Sequence, residues 1–421
     1  MNAVDLLLKG GFVTMEKTIA LVGTFDTKSK EYLYVKEIIE RNHYNVITID
    51  IGTGFRGKPA VPPDYSKEEV VKMAGSSIEE VLSFGRSGQT LRLMETMSAG
   101  AIKICRELHE AGKLDGIFSL GGTMGTNLGT TVMRSLPFGL PKVMVSTIAS
   151  ADTRPFIDTK DIIMVPSIAD IAGLNRITEN SLNKAAGAII GMVGVGKPKI
   201  SEKLTIGLTT LGGTTACATH VQKRLEEQGL EGVIFHANGM GGKAMEELIE
   251  EDIIKGVFDL STNEVVDHLY GGFSNAGDMR LEVAGRKGIP QLVSPGNIDH
   301  IMYSREDQIP ERFKHQYIHR HGPSILVLRT KKKEMAEVGK VMAEKLNKAK
   351  GPTAVILPLK GLSILDKVVE EFDDPESNNA FFESLSENLN PEIEIKRVDA
   401  HITDGLFAEE AAKLLFRILG G

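Results

Sequence analysis

The sequence predicts an α/β protein built from two related Rossmann-like subdomains, with mainly parallel sheets and a ligand cleft at the strand carboxyl ends. Three observations carry that prediction. Strand-like apolar runs alternate with helix-period segments along almost the whole chain, which implies parallel strands joined by right-handed helical crossovers. Glycine is abundant, at 44 residues, while tryptophan is absent and aromatics make up 5%; this suits many tight strand-to-helix turns better than a β-sandwich. The second half also repeats the grammar of the first. "TIALVGTFDTKSKEYLYV" from Thr18 lies over "TIGLTTLGGTTACATHV" from Thr205, "DGIFSL" at Asp115 over "KGVFDL" at Lys255, and "GLPKVMVS" at Gly139 over "GIPQLVS" at Gly288.

Taken in order, Thr18 to Thr24 reads as a buried strand, and Leu33, Val35, Ile38 and Ile39 fall at helical spacing within Glu31 to Arg41. "NVITIDIG" is the next strand, ending at Asp50. Two Ser-x-x-Glu capping boxes, Ser66 with Glu69 and Ser77 with Glu80, predict the starts of two short helices, and a longer helix runs from about Gln89 to Ala111. The strands "GIFSL", "KVMVST" and "IIMVPS" follow, and "GVGKPK" makes a linker. Beyond the repeat, "SILVLRT", a charged helix from Lys331 to about Lys348, "AVILPL", "IEIKRVDA" and a final helix ending at Leu419 continue the alternation. The resulting boundaries are an N-terminal extension over 1–14, with Met15 as a second candidate start, a first α/β subdomain over 15–198 that carries the candidate binding loops, and a second α/β subdomain over 199–421.

At 421 residues the chain is long enough for two or three separate cores. A net charge of −7 without a basic stripe argues against nucleic-acid binding driven by counterion release. Cys105 and Cys217 lie far apart without metal-ligand spacing, so neither a disulfide framework nor a zinc site is expected, and a cytoplasmic location is the natural reading. No apolar run is long enough for a membrane span, and Asp5 interrupts the opening apolar run in a way a secretory signal does not.

The candidate binding residues sit in Gly/Thr loops at strand ends. In "LGGTMGTNLGTT", Gly121, Gly122 and Gly125 let the backbone approach an anion, the helix start offers unpaired N–H groups, and Thr123 and Thr126 add hydroxyl donors. A tight turn using positive φ reads equally well for this loop alone. Related chemistry recurs in "GTFDTKSKE", with Gly23, Thr24, Asp26, Thr27 and Lys28, and in "DIGTGFRGK", with Asp50, Gly52, Thr53, Gly54 and Arg56. It recurs again in "LGGTTACATH" and "ANGMGGKAM", and this repetition favours phosphate binding. Asp50 ends a strand where an acid often takes a ribose hydroxyl, and a helix-cap or loop aspartate reads equally well there. Asp26 and Asp152 are the candidate magnesium ligands, since phosphate-bound magnesium needs only one or two protein oxygens. The second half holds the acid/base inventory at strand ends: Glu264 and His268 after "GVFDL", Asp299 and His300 after "PQLV", with a structural role the alternative for each. "HQYIHRHG" reads as a solvated or interface segment rather than a metal site.

Several motifs in order, "TIALVGTFDTKSKEYLYVKEII", "SLGGTMGTNLGT", "KVMVSTIAS", "DIAGLN" and "FHANGMGGKAMEELI", resemble the ATP-binding domain family typified by the inhibitory region of the tomato mosaic virus resistance protein. The resemblance covers essentially everything after Met15. It implies ATP or a related nucleotide at the Gly/Thr loops, homodimers, and a barrel-type partner enzyme that is fused in the plant protein and separate in bacteria. Met124 departs from the family's Gly-Gly-Ser-Gly-Gly-Thr loop and narrows the approach to a phosphate; Gly121, Gly122, Gly125 and Thr126 match it. The function expected is therefore an ATP- and magnesium-dependent enzyme acting on a small oxygen-rich acid, by phosphoryl transfer or activation. A non-catalytic ATP-binding regulatory module is the alternative.

Overall fold

The computed structural model describes residues 17–54, 59, 61–196 and 203–420. The chain forms two compact units, Met1–Ile200 and Ser201–Gly421. Arg56 and the 1–14 extension lie outside the described residues.

In the first unit, β1 (Thr18–Gly23), β2 (Asn45–Asp50), β3 (Gly116–Gly121), β4 (Lys142–Ser146) and β5 (Ile163–Pro166) form a parallel sheet in the order β2-β1-β3-β4-β5. Side chains alternate between its faces. Ile19 and Leu21 join a core with Val35 and Ile39 of helix Phe25–Arg41 and with Leu182 and Ile189 of helix Arg176–Val195. Ala20 and Val22 join the opposite core, with Val70, Met97, Ile104 and Leu128 from helices Lys67–Met73, Thr90–Glu110 and Thr123–Arg134. Burial on both faces is why β1 and β3 are apolar runs rather than alternating ones. The chain winds outward from β1 to β2 and then returns past β1 to β3. Helices therefore leave β1 and β3 on opposite faces, and the loops after those two strands flank a crevice at the sheet's carboxyl edge.

The helix after β1 begins at Phe25, earlier than the periodicity from Glu31 indicates, and kinks at Lys28, whose φ of −127° and ψ of 22° are not helical. Helix Lys67–Met73 starts with the full Ser66/Glu69 capping box. Helix Ile78–Arg86 has half of one: Ser77 accepts from the Glu80 amide, while the Glu80 carboxylate takes the Ser76 hydroxyl at 2.7 Å instead of returning to the cap.

In the second unit, β6 (Thr205–Thr210), β7 (Glu231–His236), β8 (Gly256–Ser261), β9 (Gln291–Gly296), β13 (Thr353–Pro358) and β14 (Glu394–Val398) form a parallel sheet in the order β14-β13-β9-β8-β6-β7. Its first four strands repeat the first unit's order, and the register repeats too. Ile19 pairs with Gly116 as Ile206 pairs with Gly256, and Ile117 pairs with Lys142 as Val257 pairs with Gln291. These are the residues that the internal repeat superimposes. "SILVLRT" departs from the expected parallel alternation. Its strand β12 (Leu326–Arg329) lies between β10 (His300–Tyr303) and β11 (Ile318–Arg320) in a separate antiparallel sheet. β11 comes from the segment read as solvated or interface, and helix Pro375–Asn388, packed on helix Lys332–Leu346 through Phe381 and Leu385, has no counterpart in the sequence reading. Among the described residues, no helix is long and apolar enough to cross a membrane.

Candidate functional site

Three loops distant in sequence meet at the first unit's crevice. They enclose a cavity of about 420 Å³ lined by Thr24, Asp26, Thr27, Lys28, Thr53, Gly54 and Gly121 to Gly125. Helix Thr123–Arg134 opens into it with Gly122 as N-cap, no side-chain cap and no acid in the first turn. The first hydrogen bond back runs from the Thr126 amide to the Gly122 carbonyl at 2.8 Å, so the amides of Thr123, Met124 and Gly125 have no intrahelical acceptor. The glycines divide the work between them. A Cβ on Gly121 would lie 2.8 Å from the Gly125 Cα, so glycine at 121 lets β3 touch the helix start, whereas a Cβ on Gly122 would meet only the Thr147 hydroxyl, at 3.8 Å. Met124 is 43% exposed and its sulfur accepts from the Thr53 hydroxyl at 3.4 Å.

Charge is placed asymmetrically around the cavity. The Lys28 ammonium donates to the Ile171 carbonyl. The Asp26 carboxylate accepts from the Gly54 amide at 3.0 Å through Oδ2, which also lies 3.0 Å from the Lys67 ammonium, while its buried Oδ1 has no hydrogen-bond partner. Lys67 had no signal in the sequence beyond a helix start.

Several predicted contacts serve the scaffold instead. A Cβ on Gly23 would fall 1.7 Å from the Tyr32 hydroxyl, which bonds the Val22 and Leu120 carbonyls at 3.0 Å each. Asp50, which reads from sequence as a ribose ligand or as a cap or loop aspartate, is buried; its Oδ1 accepts from the Phe25 amide at 3.1 Å and the Gly52 amide at 2.9 Å, and burial raises its pKa. Gly52 makes room for Asp26, whose Oδ1 would lie 2.6 Å from a Cβ there. Thr126 is buried and shares a 2.7 Å hydrogen bond with Ser146. Asp152 does not line the cavity: it is exposed and pairs with Arg154 at 3.1 Å.

The second unit's Gly-rich loop "ANGMGGKAM" is already occupied by an anion of the chain itself. The fully buried Glu264 accepts from the Gly239 amide at 2.8 Å and the Gly242 amide at 3.1 Å, and its other oxygen accepts from Arg280 Nε at 2.6 Å. Arg280 also bonds Asp259 through Nη1 and Nη2 and approaches Glu246 at 3.4 Å. Glu264, read as catalytic, is thereby committed to the interior. His268 is tied up as well, by Asn275 at 2.9 Å and Asp278 at 2.7 Å.

Asp299 and His300 do come together at a cavity. A space of about 400 Å³ at the carboxyl edge of this sheet is lined by His300 among others, with Gly212 and Gly213 after β6 and Asn297 after β9. His300 Nδ1 lies 3.2 Å from Asp299 Oδ1, and Asp299 Oδ2 accepts from the Ser363 hydroxyl at 2.6 Å. Burial works against ionisation of Asp299, but His300 and Arg329 outweigh it and hold the carboxyl below its usual range. Ser363 and Ser274 were not legible as site residues, because each is brought in from a loop with no motif of its own.

Two buried carboxyls give the second unit a definite pH response. Burial outweighs Arg280 and pushes Glu246 from 4.5 up to about 7; burial likewise pushes Asp267 from 3.8 up to about 7. A carboxyl whose folded pKa is raised contributes stability that is complete below its unfolded pKa and is lost as pH rises through the folded value. The second unit should therefore be less stable at pH 8 than at pH 5, by about 2 to 3 kcal/mol per group. Urea denaturation across that range measures this, with Glu246→Gln flattening the slope; a profile that is level or rises with pH counts against it.

Fold and site together define a protein of two doubly wound α/β units, the first with a Gly/Thr-lined cavity at its topological switch point. The chain belongs to the uncharacterised protein family UPF0261: the model of that family's N-terminal domain matches residues 17–198 and that of its C-terminal domain residues 203–419. A UPF0261 protein from Clostridium tetani is 41% identical over 407 residues, 96% of this chain and 100% of its own length. One from Rhizobium meliloti is 37% identical, with 94% of this chain and 97% of that protein covered. The tomato ToMV resistance protein Tm-1(GCR237) is 33% identical over 92% of this chain, and the match spans 54% of the tomato protein. Among solved structures, a UDP-N-acetylglucosamine 2-epimerase aligns over 96% of each chain at 10% identity with a TM-score of 0.22, too weak a likeness to carry an argument.

Proposed function

We propose that the first unit binds a nucleotide, with ATP the first ligand to test, and that its phosphates occupy the cavity over Gly122 to Gly125. The observation that carries this reading is the convergence of three sequence-distant Gly/Thr loops on an uncapped, acid-free helix N-terminus at the switch point of a doubly wound sheet. Glycine at 122 leaves the amides of the first turn open to a phosphate oxygen, and the helix dipole favours its charge.

Magnesium fits as a companion of the phosphates. Asp26 offers one buried oxygen without a partner, enough for an ion that takes its remaining ligands from phosphate and water. Among the described residues, no group of three His, Cys, Asp or Glu could hold a metal unaided. Asp152, exposed and paired with Arg154, does not join Asp26 at the cavity. Homodimerisation, a barrel-type partner, and ATP-driven chemistry on a second ligand belong to the same proposal and follow from the family resemblance.

Titrating the full chain with ATP and magnesium, and separately with adenosine, tests this reading. ATP should raise the melting temperature through linkage, by about 2.7 kcal/mol of stability at a hundredfold excess over Kd, and adenosine should not. If no nucleoside triphosphate moves the transition, the reading fails. Product released over hours separates an enzyme from a regulatory module.

A further inference from the structure

The second unit's cavity has a chemistry of its own. Among the described residues, Asp, Glu, Lys and Arg are all absent from its lining, where the side chains of Leu211, Phe273, Met302, Val327 and Leu365 present apolar surface. The polar groups comprise His236, His300, His321, Asn238, Asn297 and Ser274. Two of them are incompletely used by the protein. Ser274 is fully buried and its hydroxyl has no hydrogen-bond partner, and His300, 3% exposed, spends Nδ1 on Asp299 while Nε2 makes no hydrogen bond among the described residues. An unpaired buried hydroxyl is costly unless something else satisfies it. Asp299, itself fully buried and anchored by Ser363, accepts from Nδ1–H of the imidazole, so in the neutral form of His300 the lone pair is on Nε2.

We propose that this cavity is a second ligand site, for a small carboxylic acid with an apolar body, in which Ser274 and His300 Nε2 engage the carboxyl group. When the acid binds protonated, its O–H bond breaks, the proton forms a bond to Nε2, and the electron pair stays on the carboxylate. The product is an imidazolium held between that carboxylate and Asp299. The wall residues argue against the oxygen-rich acid expected from the sequence, because several hydroxyls would face Leu211, Phe273, Met302 and Leu365 without partners. Gly213 is part of the design: a Cβ there would lie 2.6 Å from the Ile364 Cβ, so glycine lets Ile364 pack against the loop after β6 in the cavity wall. This inference does not depend on the nucleotide reading of the first unit.

Calorimetric titration of the full chain with phenylacetate, 3-phenylpropanoate and 4-methylpentanoate is the test, with 2-phenylethanol as the uncharged control. At least one acid should bind saturably, should bind at least tenfold more weakly to His300→Gln, and should not bind to Ile364→Trp, which fills the cavity from a position 41% exposed. The same acid should protect His300 of the unsubstituted protein from diethylpyrocarbonate, a readout that needs no variant to fold. Absence of binding by all three acids, equal binding by 2-phenylethanol, unchanged binding in Ile364→Trp, or failure of protection overturns the proposal.

Discussion

Replacing Gly122 with aspartate is expected to abolish nucleotide binding while leaving the protein as stable as before, or slightly more so. Gly122 is the N-cap of helix Thr123–Arg134, with φ −74° and ψ −165°, a backbone conformation that any residue adopts. A Cβ there would meet only the Thr147 hydroxyl, at 3.8 Å. Aspartate would accept from the open first-turn amides and place its charge at the positive end of the helix, gains of about 0.5 to 1 kcal/mol together. The same carboxylate takes the donors that a phosphate needs and repels the phosphate's charge, so ATP affinity should fall at least a hundredfold, about 2.7 kcal/mol. Thermal melting and ATP titration of the same sample give both halves of the result. Few substitutions separate a structural from a ligand-binding role so cleanly, because a loop that merely turned the chain would gain the stability and lose nothing. Intact ATP binding in Gly122→Asp would place the nucleotide somewhere other than this helix.

The largest loss of stability is expected from Arg280→Met. The guanidinium is 1% exposed and faces Asp259, Glu264 and Glu246, which are buried as well. Methionine approximates its volume but leaves three buried carboxyls without their cation; breaking a buried pair in this way costs about 3 to 5 kcal/mol. Glu264 also holds the Gly239 and Gly242 amides, so the loop after β7 should loosen with it. Chemical denaturation should show the second unit's transition moved to lower urea, with ATP binding by the first unit retained if that unit folds on its own. A loss below about 1 kcal/mol would mean that the carboxyls accept protonation in place of the arginine.

Legibility from sequence was uneven, for reasons specific to each residue. The loop Gly121 to Gly125 and the segments Thr24 to Lys28 and Thr53 to Gly54 could be found because glycine and threonine at strand ends are a local signal, and all of them line one cavity. Gly23, Gly52, Asp50 and Thr126 carry the same signal for a different cause: the glycines make room for Tyr32 and Asp26, Asp50 ties down the amides of Phe25 and Gly52, and Thr126 bonds Ser146. Composition cannot separate a glycine that admits a phosphate from one that admits a tyrosine ring. "ANGMGGKAM" shows the same limit most clearly, since its glycines do cradle an anion, and that anion is Glu264.

By itself the sequence determined the α/β class, the internal repeat and the loops that stand at the sheet edges. All of these follow from periodicity and turn chemistry, which act over a few residues at a time. Only the tertiary structure decided which loops share a cavity, that Glu264 lies inside a buried ion cluster while His300 opens onto a pocket, and that "SILVLRT" pairs in a separate antiparallel sheet. Those outcomes depend on contacts between residues tens of positions apart, such as Arg280 with Asp259 or Ser363 with Asp299, where burial and partner geometry fix a side chain's role and local pattern carries no trace of it.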